Sequence, residues 1–152
     1  MQSIPGTPPP SFDFPNPHLI ELSVLPEDID EYQHVNNSVY LRWLDRVAWS
    51  HSAALGLPME ECIGMRRGMA AIRTEIDYLL AALGGDRVWV ATWITRTDHR
   101  LRVERRFQVG RAADPATLAR ARTEYVCINL DNGRAARMPE PFARLYTTTA
   151  AL

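Results

Sequence analysis

Between residues 19 and 24 apolar and polar positions alternate weakly, the period of a half-buried strand. A polar stretch follows, Pro26-Glu27-Asp28-Ile29-Asp30-Glu31-Tyr32-Gln33-His34, and reads as a loop. The period then lengthens. Val39, Tyr40, Trp43, Leu44, Val47, Ala48, His51 and Leu55 recur at helical spacing, which predicts one helix of about five turns with a broad apolar face. Asn36, Asn37 or Ser38 can cap its start, since each side chain can accept a bond from a free first-turn amide. Gly56-Leu57-Pro58 ends it. After a short segment at 58–67 the pattern returns to period two, with Ala70, Ile72, Thr74, Ile76 and Tyr78 on one face of a strand and Arg73, Glu75 and Asp77 on the other. Gly84-Gly85-Asp86 turns the chain into residues 88–97, apolar on both faces and so covered on both sides. Two more strands are predicted, one carrying Leu101, Val103, Arg105, Phe107 and Val109, the other over residues 118–130. Asp131-Asn132-Gly133-Arg134 is a tight-turn sequence leading to a short last segment. A strand, one long helix and four or five long antiparallel strands predict an α+β fold in which a curved sheet wraps the helix.

Such a sheet leaves its outer face to be covered. Trp89 and Trp93 on that face predict a partner surface, a second copy of this chain, with the N-terminal segment or residues 58–67 as the alternative cover. Residues 1–17 hold six of the eleven prolines and are expected to form a flexible, proline-rich leader, with a single domain over residues 18–152. That length suits one core. The composition, 46% hydrophobic and 23% charged, is that of an ordinary globular domain.

Charge and residue usage narrow the function. The formal net charge is −1, without the basic excess of a nucleic-acid binder, so no nucleic-acid partner is expected. Every one of the 17 basic residues is arginine. The absence of lysine excludes Schiff-base chemistry and the phosphate-loop lysine of nucleotide hydrolases. No apolar run approaches the roughly 18 to 20 residues of a membrane span, and no charged-then-apolar leader marks secretion, so a cytoplasmic protein with no membrane partner is expected. Cys62 and Cys127 fit reduced thiols of that compartment.

The richest chemistry lies just before the helix. Several carboxylates and His34 precede a helix N-terminus, whose amides lack internal partners and whose dipole end is positive. An oxygen that gains negative charge during a reaction is stabilised there, and a nearby carboxylate can act as nucleophile or general base. Together these suffice for acyl transfer. Two further readings of the same residues stay open: acids that only cap the helix, and a metal site on Asp28, Asp30 and His34, which lacks a second histidine nearby.

The string Asp30-Glu31-Tyr32-Gln33-His34-Val35-Asn36-Asn37-Ser38-Val39-Tyr40 resembles the motif of hotdog-fold acyl-CoA thioesterases of the 4-hydroxybenzoyl-CoA thioesterase type. That motif is an aspartate, three variable residues, His-Val-Asn-Asn, two variable residues and a tyrosine. The resemblance runs on through Trp43, Asp45 and Arg46, Ile76-Asp77-Tyr78, Tyr125-Val126-Cys127-Ile128 and Asn132-Gly133-Arg134, covering residues 19 to about 140. It implies a hotdog fold and an acyl-CoA thioesterase needing no cofactor or metal, acting on acyl-CoA or acyl-carrier-protein thioesters as a homodimer or homotetramer. It implies Asp30 as nucleophile or general base, an amide at Asn37 that holds the thioester carbonyl, and His34 and Asn36 ordering the loop or the water. Tyr40 and Tyr78 then belong to the acyl pocket. Two departures stand out: Gln33 where many members have glycine, and Leu79-Leu80-Ala81-Ala82 where a proline is usual.

Arg105, between Val103 and Phe107 on the apolar side of its strand, is expected either to pair with a carboxylate or to face a cavity or subunit interface, with a contact to the CoA phosphates of the substrate as the alternative to the ion pair. A serine hydrolase is unsupported, because no Gly-x-Ser-x-Gly turn occurs. The remaining alternative is a non-catalytic acyl-CoA or acyl-carrier-protein binding protein.

Overall fold

The computed structural model describes residues 11–150. Strand β1 (His18–Ser23) is followed by a 3-10 turn (Pro26–Asp28), the long helix α1 (Asn37–Ala54), a short helix α2 (Met59–Gly64), and strands β2 (Arg67–Tyr78), β3 (Arg87–Thr97), β4 (Arg102–Arg111) and β5 (Thr117–Asn129). Helix α3 (Glu140–Leu145) closes the order. The strands form one antiparallel sheet in the order β1-β3-β4-β5-β2. This is the predicted α+β hotdog arrangement. The segment at 58–67 contains α2, which buries Cys62 beside Leu57 and Phe142.

The apolar stripe of α1 explains the wrapping. Val39, Tyr40, Trp43, Leu44 and Val47 are buried against Val88, Val90, Phe107, Val109 and Leu118 of the sheet. Each such side chain contributes roughly 1.5–3 kcal/mol when removed from water, so the helix is held by tertiary packing rather than by its own propensity. β2 departs from simple alternation. A bulge between Ala71 and Arg73 leaves Ile72 49% exposed, while Ile76 packs against the core.

The outer sheet face corrects one expectation. Trp89 and Trp93 are buried within the chain, and residues 11–17 cover them. Phe12 meets Trp89 edge-on at 5.1 Å and Phe14 meets Trp93 at 5.3 Å. Trp93 Nε1 donates to the Pro15 carbonyl, and Asp13 pairs with Arg120 at 2.7 Å. The tryptophan pair therefore presents no face to a second copy, because the chain's own aromatic residues reach it first. Gly110 makes room for the arrangement: a Cβ there would overlap the Trp89 indole. Residues 1–10 of the expected leader lie outside the described residues.

Candidate active site

Helix α1 starts where it does because Asn36 caps it. Asn36 Oδ1 accepts the Ser38 amide at 2.9 Å and the Ser38 hydroxyl at 2.8 Å. Asn37 is then the first helical residue, and its amide has no acceptor within its own helix. It stands at the positive end of an 18-residue helix.

The preceding loop holds Asp30 beside that end. Asp30 Oδ1 accepts the Tyr32 amide at 2.9 Å and the His34 amide at 3.4 Å, and the Asp30 amide donates to the His34 carbonyl at 2.8 Å. Its other oxygen accepts no bond among the described residues. Closing so tight a turn forces Gln33 to a φ of 64°, the left-handed region. The position where many hotdog thioesterases carry glycine is thus one where backbone geometry favours glycine.

A cleft of about 430 Å3 opens here, and Asp30, His34, Asn36, Asn37, Tyr40 and Tyr78 all line it. The structure thus brings six of the seven predicted site residues together. Two tyrosines build the wall. Tyr78 donates its hydroxyl to the Asn37 carbonyl at 3.1 Å, and its ring meets Tyr40 edge-on at 5.2 Å. Tyr40 accepts the Ala82 amide at 3.1 Å, tying the chain after β2 to the helix. Burial pushes both phenols up, so each is a neutral hydroxyl at pH 7. Sequence reasoning gave no role to Tyr32, 82% exposed, or to Leu79 and Leu80, which also line the cleft. The Leu79-Leu80 pair was visible only as a departure from a strand-end pattern.

Other expectations need correcting. Asp28 is structural: its carboxylate accepts the Leu25 amide at 2.8 Å and lies 3.6 Å from Arg42. It is not gathered with Asp30 and His34, and among the described residues no three His, Cys, Asp or Glu side chains cluster as metal ligands do. Arg105 stands outside the cleft, against a second cavity, and forms no ion pair with a carboxylate among the described residues. Strand alternation is the reason. The adjacent acid, Glu104, points to the opposite face of β4, where Arg122 at 3.0 Å and Thr95 at 2.8 Å hold it.

The sequence model of the thioesterase-like superfamily matches residues 24–145. No curated protein matches the chain. Several solved structures do. A hypothetical protein from Thermus thermophilus is 23% identical with a TM-score of 0.78, over 85% of this chain and 96% of that one. A 1,4-dihydroxy-2-naphthoyl-CoA thioesterase from Synechocystis is 24% identical with a TM-score of 0.77, over 86% of this chain and 96% of that one. A hypothetical protein from Staphylococcus aureus, solved in complex with CoA, is 18% identical with a TM-score of 0.79, over 89% of this chain and 84% of that one. At these identities the likeness is one of fold.

Proposed function

This chain belongs to the thioesterase-like superfamily, and on that premise we propose that it hydrolyses an acyl-CoA thioester to free acid and CoA, as a member of the 4-hydroxybenzoyl-CoA thioesterase type. One observation carries the reading: Asp30 and the Asn37 amide line a single cleft, so a carboxylate and a helix N-terminus meet at one place. The thioester oxygen sits on the Asn37 amide. Attack on the carbonyl carbon moves negative charge onto that oxygen, where the amide and the helix dipole stabilise it. The C–S bond then breaks and CoA leaves as the thiolate. Asp30 serves in one of two ways, accepting a proton from the attacking water or attacking the carbon itself to give an anhydride that water opens. Asn36 and His34 order the loop, and Tyr40 and Tyr78 wall the acyl end.

The protein works as a homo-oligomer, a dimer or tetramer. What supports this is β2, a 12-residue edge strand whose outer side has no partner strand among the described residues, flanked by exposed Leu79 and Leu80. The activity belongs to the cytoplasm, in keeping with the free buried thiols of Cys62 and Cys127.

Release of free thiol from a panel of acyl-CoAs tests the reading. Steady turnover of at least one ester is expected. Stoichiometric binding of acyl-CoA without thiol release would make the protein a binding module. Turnover in 18O-water then tests the nucleophile role: label that enters the Asp30 carboxylate marks an anhydride opened on its aspartyl side, which a general base never forms.

A further inference from the structure

A second cavity of about 60 Å3 lies between α1 and strands β2, β4 and β5, and the guanidinium of Arg105 lines it. Arg105 is only 4% exposed. A buried guanidinium ordinarily has a carboxylate against it, because a lone charge is costly to remove from water. Here the surroundings are neutral. Arg105 Nη1 donates to Nδ1 of His51 at 2.7 Å, and neither Nε nor Nη2 has a protein acceptor among the described residues. Burial, then Arg105, then His18 hold His51 down at about 3, so it is uncharged. Burial pushes Tyr125 up and Tyr146 to about 12, so both are uncharged phenols. Asp45 also lines the cavity, but it is solvent-exposed and beyond ion-pair distance; water screens its charge while Arg105 keeps its own.

The cavity is placed in line with the cleft. Asp45 and Ser52, two of its lining residues, stand eight and fifteen positions after Asn37 on α1. At 1.5 Å per residue that is about 12 and 22 Å along the helix from the oxyanion position. Leu41, 49% exposed, lies between Asn37 and Asp45 on the same stripe of α1. The space accommodates a carboxylate and is far too small for a nucleotide.

We propose that Arg105 receives the distal carboxylate of the acyl group, which makes the preferred substrate a thioester of a long dicarboxylic acid. The inference rests on the thioesterase reading for the reaction and on Arg105 alone for the selectivity. The thioester carbonyl lies at Asn37, the methylene chain follows Leu41, and the far carboxylate takes the two free donors of the guanidinium fork. Hydrolysis yields the diacid and CoA with water as the only co-reactant.

The experiment compares dodecanedioyl-CoA with dodecanoyl-CoA, and the free diacid dodecanedioate with dodecanoate, on wild type and on Arg105→Met. Turnover is read by thiol release and binding by calorimetry. A charge-assisted bond at a buried site predicts a preference of about tenfold to a hundredfold for the diacid in kcat/KM and in binding. Arg105→Met should abolish that preference while melting at or above the wild-type temperature, since a lone buried charge is removed. A structural prop would instead lower the melting temperature and leave the preference unchanged, which overturns the proposal. Equal handling of the two esters by wild type also overturns it, and does so even if the variant fails to fold. Arg105-dependent binding of the diacid with no hydrolysis of either ester keeps the anion site and removes the thioesterase reading.

Discussion

His51 is buried at 6% exposure, accepts from Arg105 and stacks on His18 with ring centres 4.9 Å apart. Its folded pKa, about 3, lies below the ordinary histidine value, so the unfolded chain takes up a proton below about pH 6.5 that the native chain refuses. Stability is therefore fully present above that pH and is lost as pH falls. Between pH 6.5 and 5 the loss is about 2 kcal/mol at 1.36 kcal/mol per unit. His18, also lowered by burial and by Arg105, adds to it. Urea unfolding at pH 7, 6 and 5 checks this, and a midpoint independent of pH would contradict a neutral His51. Gln33 offers a second test at the same scale. Its left-handed backbone costs about 1–2 kcal/mol that glycine does not incur. Glycine loses about 0.5–1 kcal/mol more chain entropy on folding. Gln33→Gly should thus stabilise by at most about 1.5 kcal/mol, and Gln33→Val should destabilise by about 1 kcal/mol or more, both read from thermal melts.

At the scale of elements, the segment at residues 11–17 acts as a strap. Phe12 and Phe14 pack on Trp89 and Trp93, and the strap adds the Asp13–Arg120 pair. Phe12→Ala and Phe14→Ala are each expected to cost about 2 kcal/mol, below the roughly 3–5 kcal/mol of a core aromatic because both rings are half-buried. The readout is a lower melting temperature with a red-shifted tryptophan emission. Unchanged emission would mean the indoles stay covered without the strap. This cover stood in the sequence only as the alternative to a second copy, because six prolines in seventeen residues outweigh two phenylalanines and disguise an aromatic clamp. The helix was legible, because Val39 to Val47 keep one period and Asn36 has the chemistry of a cap. The two-faced β3 was equally plain from Trp89 and Trp93 alternating with Val88 and Val90, though not what would cover it. The bulge at Ile72 left no mark, since alternation there continues in residue type while the backbone slips by one.

For the whole molecule, the unpaired side of β2 predicts self-association through that edge rather than through the tryptophan face. Light scattering at micromolar concentration should give at least a dimer mass. Ile72→Lys, which puts a charge on the exposed edge, should shift it toward the monomer. A dimer indifferent to Ile72→Lys but lost in Phe12→Ala would move the interface to the strap. The cleft itself was readable from one contiguous stretch, Asp30 to Tyr40, because loop and helix start are local in sequence. Arg105 was legible only as a choice between an ion pair and a cavity, because its neighbours come from α1, β5 and the C-terminal segment, and no spacing rule reports that its acid neighbour Glu104 faces away.

If Asp30 acts on a thioester held at the start of α1, thiol release must depend on its carboxylate, and Asp30→Asn removes that carboxylate's charge alone. Asparagine keeps the side chain's size and the Oδ1 acceptor for the Tyr32 and His34 amides, but it neither attacks as an anion nor takes a proton from water. The expected result is a loss of kcat on the order of a hundredfold or more, with unchanged circular dichroism and oligomeric mass. Asp28→Asn, at a position whose carboxylate holds the Leu25 amide and faces Arg42 rather than the cleft, should lower the melting temperature and leave kcat within a few fold. An Asp30→Asn protein that turns over at the wild-type rate would remove Asp30 from the reaction and pass the role to another acid, with Asp45 on α1 next in line.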